Sequence, residues 1–345
     1  MRPRIVAFPL RGNAYTESLY AEFRAQGAEI LKGEWGGRWL ISNLHAGDVV
    51  HFHWPSYLYE SEGSIATILR SFLRFLQLVS IIRLRTREVW WTAHNLMPHD
   101  RCRIPYLDVV ARVVVIHVAK RVFVHGPEAE RVLQARFPSV ASKSVLIPLG
   151  NWIGRYPPSE SACQARRNLK LPTEAFVYLF FGNARPYKNL EGLIEVFRKV
   201  AKTDDILLAA GRFWDRTYLT RILDMAAGDD RIRINHCFIP DDRVSDYFVA
   251  CNAVCMPYRE ILTSGTAMLA LGYGRPVLSI NRGFLRDLVR HECGLLIEPG
   301  DPEALADGLL TLRARSWVEA EIVRVAERFT FSEAARISLS CVGKA

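Results

Sequence analysis

Two short stretches of this chain combine small residues, hydroxyls and cations in a way that suits an anion. The first is Thr263-Ser264-Gly265-Thr266, between Met256-Pro-Tyr258 and an apolar run that leads to Gly274-Arg-Pro-Val-Leu. It reads as a strand end, a small-residue turn and the start of a helix. Ser264 or Thr263 is a natural N-cap, because its hydroxyl can satisfy a free backbone N–H. Gly265 allows close approach of the backbone. Free N–H groups and the positive end of a helix dipole attract phosphate. The second stretch is Gly182-Asn-Ala-Arg185-Pro-Tyr-Lys188, after the apolar Phe176–Phe181. Arg185 offers a planar fork and Lys188 a point charge, a pair suited to a diphosphate. An ordinary capped helix and a solvated basic loop are the plainer alternatives. Placement of both stretches at neighbouring strand ends favours phosphate.

Histidines mark two further strand ends, and a glycine marks a third. In His51-Phe-His53-Trp54 strand alternation puts His51 and His53 on one face, with His53 nearest the end. A metal would need a third ligand that the spacing does not supply, so a structural role or a substrate contact is preferred and no metal site is assigned. His94-Asn95-Leu-Met-Pro-His99-Asp100 emerges behind the apolar 89–93. Asp100 is the candidate general base there, with His94 and His99 as alternatives or orienters; a capped polar loop is the plainer reading. Gly12 and Asn13 follow the first strand, where Gly12 permits close backbone approach and a simple βα turn is the alternative.

The elements that must hold these residues alternate. Strands are expected over 4–8, 48–53, 88–93, 121–125 and 144–148, separated by helices over 14–26, 64–84, 107–119 and 127–136. Residues 149–172 are rich in Gly, Pro and polar side chains and read as a linker. A second alternation begins with a strand over 176–181 and runs through strands over 205–210, 231–235, 253–257, 276–280 and 294–298. Strands separated by helices predict parallel sheets covered on both faces. The expectation is a first domain over 1–151, a linker over 152–172, a second domain over 173–325, and a C-terminal helix over 326–345 that can cross back to the first domain.

With 345 residues, half of them hydrophobic and 23% charged, the chain is globular and has room for two domains. Its net charge of +9 suits an anionic partner. Nucleic acid is not favoured, since the cations are spread among helices and loops and no binding motif is evident. The seven cysteines are odd in number and scattered, which fits free thiols in a reducing compartment. No leader-like segment and no run of about 18 uncharged apolar residues is read, so a cytoplasmic chain is expected. The helix over 64–87 is highly apolar with only arginines as charges. It could rest on an anionic membrane surface or pack in the core with a basic outer stripe.

The Gly182…Arg185…Lys188 loop, the strand ending at Pro257-Tyr258, Ser264-Gly265-Thr266 and Gly274-Arg-Pro-Val-Leu together resemble the nucleotide-sugar half of GT-B glycosyltransferases. The His53-Trp54-Pro55 and His94-Asn95…Pro98-His99 segments resemble the acceptor half of the β-mannosyltransferases of xanthan-type exopolysaccharide synthesis. The resemblance covers nearly the whole chain. It implies an α/β protein of GT-B architecture, with two doubly wound Rossmann-like domains facing a cleft. It implies a metal-independent hexosyltransferase without cofactor that moves mannose from GDP-mannose, with inversion, onto a lipid-linked oligosaccharide at the inner face of the plasma membrane. Gly182, Arg185, Lys188, Tyr258, Thr263, Ser264, Gly265 and Thr266 would bind the donor. Gly12, Asn13, His53, Trp54 and Asn95 would face the acceptor. The pattern departs from the broad retaining group at Leu269, which stands where those enzymes carry a donor-binding glutamate. A retaining enzyme using another nucleotide sugar, and a non-catalytic membrane-associated scaffold with a GT-B shell, are the alternatives.

Overall fold

The computed structural model describes residues 2–10, 12–59, 62–98 and 102–343. The chain divides into two compact units, one of residues 1–150 with 330–345 and one of residues 151–329.

In the first unit the chain runs β1 (Arg4–Phe8), α1 (Ala14–Ala25), β2 (Glu29–Lys32), α2 (Gly37–Asn43), β3 (Val49–Phe52), α3 (Ile65–Arg85), β4 (Glu88–Thr92), α4 (Pro105–Val118), β5 (Arg121–Val124), α5 (Pro127–Arg136) and β6 (Ser144–Leu146). The six strands form one parallel sheet in the order β2-β1-β3-β4-β5-β6. β3 and β4 are buried along their whole length, as strands with helices on both faces must be. The order reverses between β1 and β3, so the loops after these strands diverge and leave a crevice at their C-terminal ends.

The second unit contains α6 (Ala162–Asn168), β7 (Phe176–Phe181), α7 (Leu190–Val200), β8 (Asp205–Ala210), α8 (Arg216–Ala226), β9 (Ile232–Asn235), α9 (Val244–Ala250), β10 (Ala253–Met256), α10 (Gly265–Gly272), β11 (Val277–Ile280), α11 (Gly283–Leu288), β12 (Gly294–Ile297), α12 (Pro302–Ala314) and α13 (Glu319–Glu327). Its parallel sheet has the order β12-β11-β10-β7-β8-β9. The reversal here falls between β7 and β10, the two strands that precede the Gly182–Lys188 loop and the Thr263–Thr266 turn.

Local chemistry explains where the helices begin. Asn13, Ser64, Ser161, Asp215, Ser264 and Asp301 each accept a backbone N–H at the start of α1, α3, α6, α8, α10 and α12. Pro302 at the first turn of α12 adds a preset φ.

Residues 152–172 are not a bare connector. They belong to the second unit and hold α6, whose Arg166 donates to the Ala250 carbonyl at 3.1 Å and to Asn252 Oδ1 at 2.9 Å. α6 is a single short helical stretch among Gly and Pro, too brief to show a period. β2, α2 and α11 are likewise short and weakly patterned, and the alternation read from sequence omits them. The C-terminal region is two helices, with a break after α13. The second, α14 (Phe331–Leu339), is capped by Thr330 and lies in the first unit. There Gln26 Nε2 donates to the Ser332 carbonyl at 2.8 Å and the Phe331 ring meets Tyr15 edge-on at 5.5 Å.

α3 is long and apolar enough to cross a membrane by length and composition alone. Ile68, Phe72, Phe75, Leu78, Val79 and Ile82 are nonetheless buried in the first unit. Its outer side exposes Ile65, Leu69 and Leu73 beside Arg70 and Arg74.

Candidate functional site

In the second unit the switch between β7 and β10 brings together a glycine, a lysine and several hydroxyls. Gly182 follows β7 directly, and its φ of +98° is a conformation that glycine adopts without strain. A Cβ built on Gly182 would lie 3.5 Å from both Lys188 Nζ and Thr266 Oγ1. Lys188 is buried, 9% exposed, and no carboxylate pairs with it among the described residues. Burial, with the nearby Arg185 charge second, pushes its pKa down to about 8. Its ammonium lies 5.3 Å from the Tyr258 ring, an attractive contact but no counter-ion. Ser264 Oγ caps α10 through the Ala267 N–H at 3.3 Å, and Thr266 Oγ1 donates to the Phe181 carbonyl at 3.5 Å. The Tyr258 hydroxyl is held far above its usual pKa by burial, with the Tyr187 charge adding and the Thr266 and Ser264 hydroxyls opposing. Gly265 opens α10, and a Cβ on it would come within 3.2 Å of the Trp152 ring. Thr263, half-buried, precedes the cap. A buried cation with no carboxylate partner among the described residues, beside hydroxyls and a helix start, is arranged to receive an anion.

The first unit holds a polar cluster at the C-terminal ends of β3, β4 and β5. His53 Nδ1 and His94 Nε2 are 3.0 Å apart, and the Trp54 ring stacks on His94 at 4.4 Å and 20°. Tyr20, on α1, bonds His51 at 3.1 Å and His53 at 2.8 Å, and His51 reaches Thr92 Oγ1 at 2.8 Å. His125, one residue beyond β5, faces the Ile147 carbonyl through Nδ1 at 3.2 Å. Burial pulls all four imidazoles below their usual pKa, His51 to about 3 and His125 to about 4. For His53 and His94 the neighbouring histidines deepen the fall. The rings are therefore neutral at physiological pH.

Of the residues singled out from sequence, His53, Trp54 and His94 come together in this cluster, and Asn95 follows them half-buried. Gly12, at φ +91°, has no atom within 4 Å of where a Cβ would sit, and its N–H donates to Glu17 Oε1 at 3.3 Å. The Asn13 side chain is occupied in capping α1, accepting from the Tyr15 N–H at 2.8 Å. His99 and Asp100 lie outside the described residues. Tyr20, Thr92 and His125 are absent from the sequence reading. His125 carries the one signal available, a histidine just past an apolar strand as at His53 and His94. No group of three or more His, Cys, Asp or Glu side chains among the described residues is arranged to hold a metal, and all seven cysteines are unpaired.

A family model described as glycosyl transferases group 1 matches residues 175–315, the stretch that carries Gly182, Lys188, Tyr258, Ser264 and Thr266. Residues 175–315 form a group 1 glycosyltransferase domain. The GDP-mannose:glycolipid 4-beta-D-mannosyltransferase of Xanthomonas campestris pv. campestris is 27% identical to the chain over 238 residues. That alignment takes in 67% of this chain and 61% of the relative, so the chain spans about three fifths of its length. Among solved structures, the sucrose-phosphate synthase of Thermosynechococcus elongatus is similar with a TM-score of 0.73 at 18% identity, over 99% of this chain and 98% of that one. HepE of Anabaena, solved with UDP-glucose, is similar with a TM-score of 0.72 at 14% identity, over 99% of both chains. The glycosyltransferase domain and the six-stranded unit that precedes it thus have the GT-B fold.

Proposed function

We propose that this chain is a metal-independent glycosyltransferase that moves mannose from GDP-mannose, with inversion, onto a lipid-linked oligosaccharide in exopolysaccharide synthesis. The observation that carries the reading is Lys188, a buried cation without a paired carboxylate among the described residues, beside the Ser264 and Thr266 hydroxyls at the β7–β10 switch. Arg185 and Lys188 would neutralise the diphosphate as the bond to the anomeric carbon breaks. Ser264 and Thr266 would donate from hydroxyls, and Thr263 and Gly265 would shape the turn around the phosphates. Tyr258 would back Lys188. With Leu269 half-buried on α10, no carboxylate at that position reaches the donor ribose, which favours the mannosyltransferase-like group. The name of the Xanthomonas relative supports mannose and a glycolipid acceptor.

On the acceptor side we assign His94, His53, Trp54 and Asn95, with Gly12 and Asn13 at the first βα turn. Inversion needs one base to take the acceptor hydroxyl proton while the oxygen attacks the anomeric carbon. Asp100 is assigned that role, with His99 as its neighbour. The exposed Ile65, Leu69 and Leu73 of α3, flanked by Arg70 and Arg74, support peripheral docking on the anionic inner face of the plasma membrane from the cytoplasm.

A donor screen by thermal shift and nucleotide release tests the proposal. Selective stabilisation by GDP and GDP-mannose is expected. A response to UDP-sugars alone would overturn the donor, and no response to any nucleotide sugar would favour the scaffold reading.

A further inference from the structure

The loop after β8, Gly211-Arg-Phe-Trp-Asp215, is fastened to the loop that opens the anion site. β8 pairs with β7 on the side away from β10. Beyond the paired strands the Ala184 N–H donates to the Arg212 carbonyl at 2.9 Å, and Ala184 and Phe213 form a further parallel bridge. The Gly211 N–H donates to the Asn235 carbonyl at the end of β9, also at 2.9 Å. Gly211 has φ +146°, and a Cβ on it would fall 2.1 Å from the Gly182 carbonyl oxygen, so the two backbones touch where only glycine fits. The half-buried Phe213 ring lies 6.0 Å from that of Tyr218, whose hydroxyl donates to Glu191 Oε2 on α7 at 2.7 Å. Asp215 then caps α8. The loop is pinned at both ends and in its middle.

Side chains alternate along an extended segment. With Phe213 packed on Tyr218, Arg212 and Trp214 share the other side, and the Arg212 guanidinium carbon lies 3.8 Å over the Trp214 ring. Trp214 is 54% exposed. The Arg212 guanidinium is exposed too and makes no hydrogen bond or ion pair among the described residues. A large indole and five N–H donors are thus presented beside the Gly182 backbone.

The chemistry of this pair narrows what would cover it. An indole face takes a flat ring, and a nucleobase is one. A base stacked there occupies the layer in which the guanidinium lies, so Arg212 moved to the ring's edge meets the base in its own plane, as a fork must. The fork matches two adjacent acceptors, and guanine offers O6 and N7. Adenine puts an amino donor beside N7.

We propose that Arg212 and Trp214 form a guanine platform, Trp214 stacking on the base and Arg212 reading O6 and N7, and so select the nucleotide of the donor. This deepens the donor assignment and rests on it. Lys188 and Thr266 take the diphosphate at the β7–β10 switch, and the loop after β8 is the neighbouring wall that receives the base.

Calorimetric titration of the full chain with GDP, ADP, UDP and inorganic diphosphate tests the platform. Wild-type protein should bind GDP more tightly than the other three. Trp214→Ala should weaken GDP roughly 5- to 150-fold, the worth of one stacked base, and leave inorganic diphosphate unchanged. Trp214→Phe should recover part of that loss. Arg212→Ala should cut the preference for GDP over ADP by a similar factor. The ratio is read because losing a nearby cation weakens both nucleotides alike. Equal loss of GDP and inorganic diphosphate in Trp214→Ala would mean that the residue only shapes the loop, and would overturn the platform. So would unchanged GDP affinity, or a raised KM for the acceptor with GDP binding intact, which would make the pair a saccharide contact. Wild-type protein that binds inorganic diphosphate without preferring GDP would overturn the platform alone. Protein that binds neither would overturn the donor site with it.

Discussion

The Lys188 ammonium and the Thr266 hydroxyl approach the same point above Gly182. A Cβ placed on Gly182 would be 3.5 Å from each. Two polar groups from loops about 80 residues apart are thus aimed at one small volume, and that volume is kept open by the lack of a side chain.

Filling it is the simplest perturbation. Gly182→Ala places a methyl between the two groups and forces a non-glycine residue to φ +98°. The expected outcome is a stability loss of about 1–3 kcal/mol and a loss of nucleotide-diphosphate binding. Calorimetric titration with GDP and thermal melting read the two effects separately. Undiminished GDP affinity would remove this point from the donor site.

Lys188→Met should move stability and function in opposite directions. Lys188 is pushed down to about 8 by its burial, so holding its charge inside the unliganded protein costs on the order of 3 kcal/mol. Methionine fills similar space without that cost. A raised melting temperature together with lost GDP binding and transfer is expected. A lowered melting temperature would mean the ammonium is stabilised by a partner and is not waiting for an anion.

The same group sets a pH window for binding. In the free protein Lys188 loses its proton as pH rises through about 8, well below the ordinary lysine value. Diphosphate affinity should be flat below that point and fall above it, about tenfold per pH unit where the charged form is required. Lys188→Arg replaces a titrating cation by one that stays charged and should flatten the profile. A wild-type affinity constant between pH 7 and 9.5 would contradict the role.

The histidine cluster predicts acid sensitivity of the fold. Its pKa values are lowered by burial, so the unfolded chain takes up these protons first as pH falls below about 6.5. Stability is present above that pH and drains away as pH falls towards about 4 for His125 and about 3 for His51. Each histidine contributes a slope of about 1.4 kcal/mol per pH unit in that window. His125→Met, at the ring whose Nε2 finds no partner among the described residues, should remove one such slope in urea unfolding at pH 5 and leave stability near pH 7 within about 1 kcal/mol.

Docking of α3 on a membrane can be tested apart from catalysis. Leu73 and Leu69 are 66% and 43% exposed. Leu69→Asp with Leu73→Asp should change stability by only about 0.5 kcal/mol per site. Co-flotation with vesicles containing an anionic phospholipid should drop several-fold. Equal flotation of the double variant and the wild type would exclude this face as the contact.

By itself the sequence determined the class of fold and most of its pieces. Apolar runs such as Phe176–Phe181 and Glu88–Thr92, separated by amphipathic segments with Asn, Ser and Asp caps, already dictate parallel strands alternating with helices, because periodicity and capping are local properties. The cation loop and the Ser264 turn could also be read as a pair, since both follow strands. What was weakly patterned, namely β2, α2, α6 and α11, is too short for a period to rise above its surroundings. Strand order belongs to tertiary structure. Only when β10 pairs with β7 do Gly182, Lys188 and Thr266 face one point, and only packing turns Lys188 from a loop cation into a buried one. The histidine line follows the same logic. Alternation puts His51 with His53, but Tyr20 and Thr92 join them through contacts between residues about 30 to 40 positions apart. Hydrogen bonds at such separations depend on how helices settle on a sheet, and no local pattern in the chain encodes that.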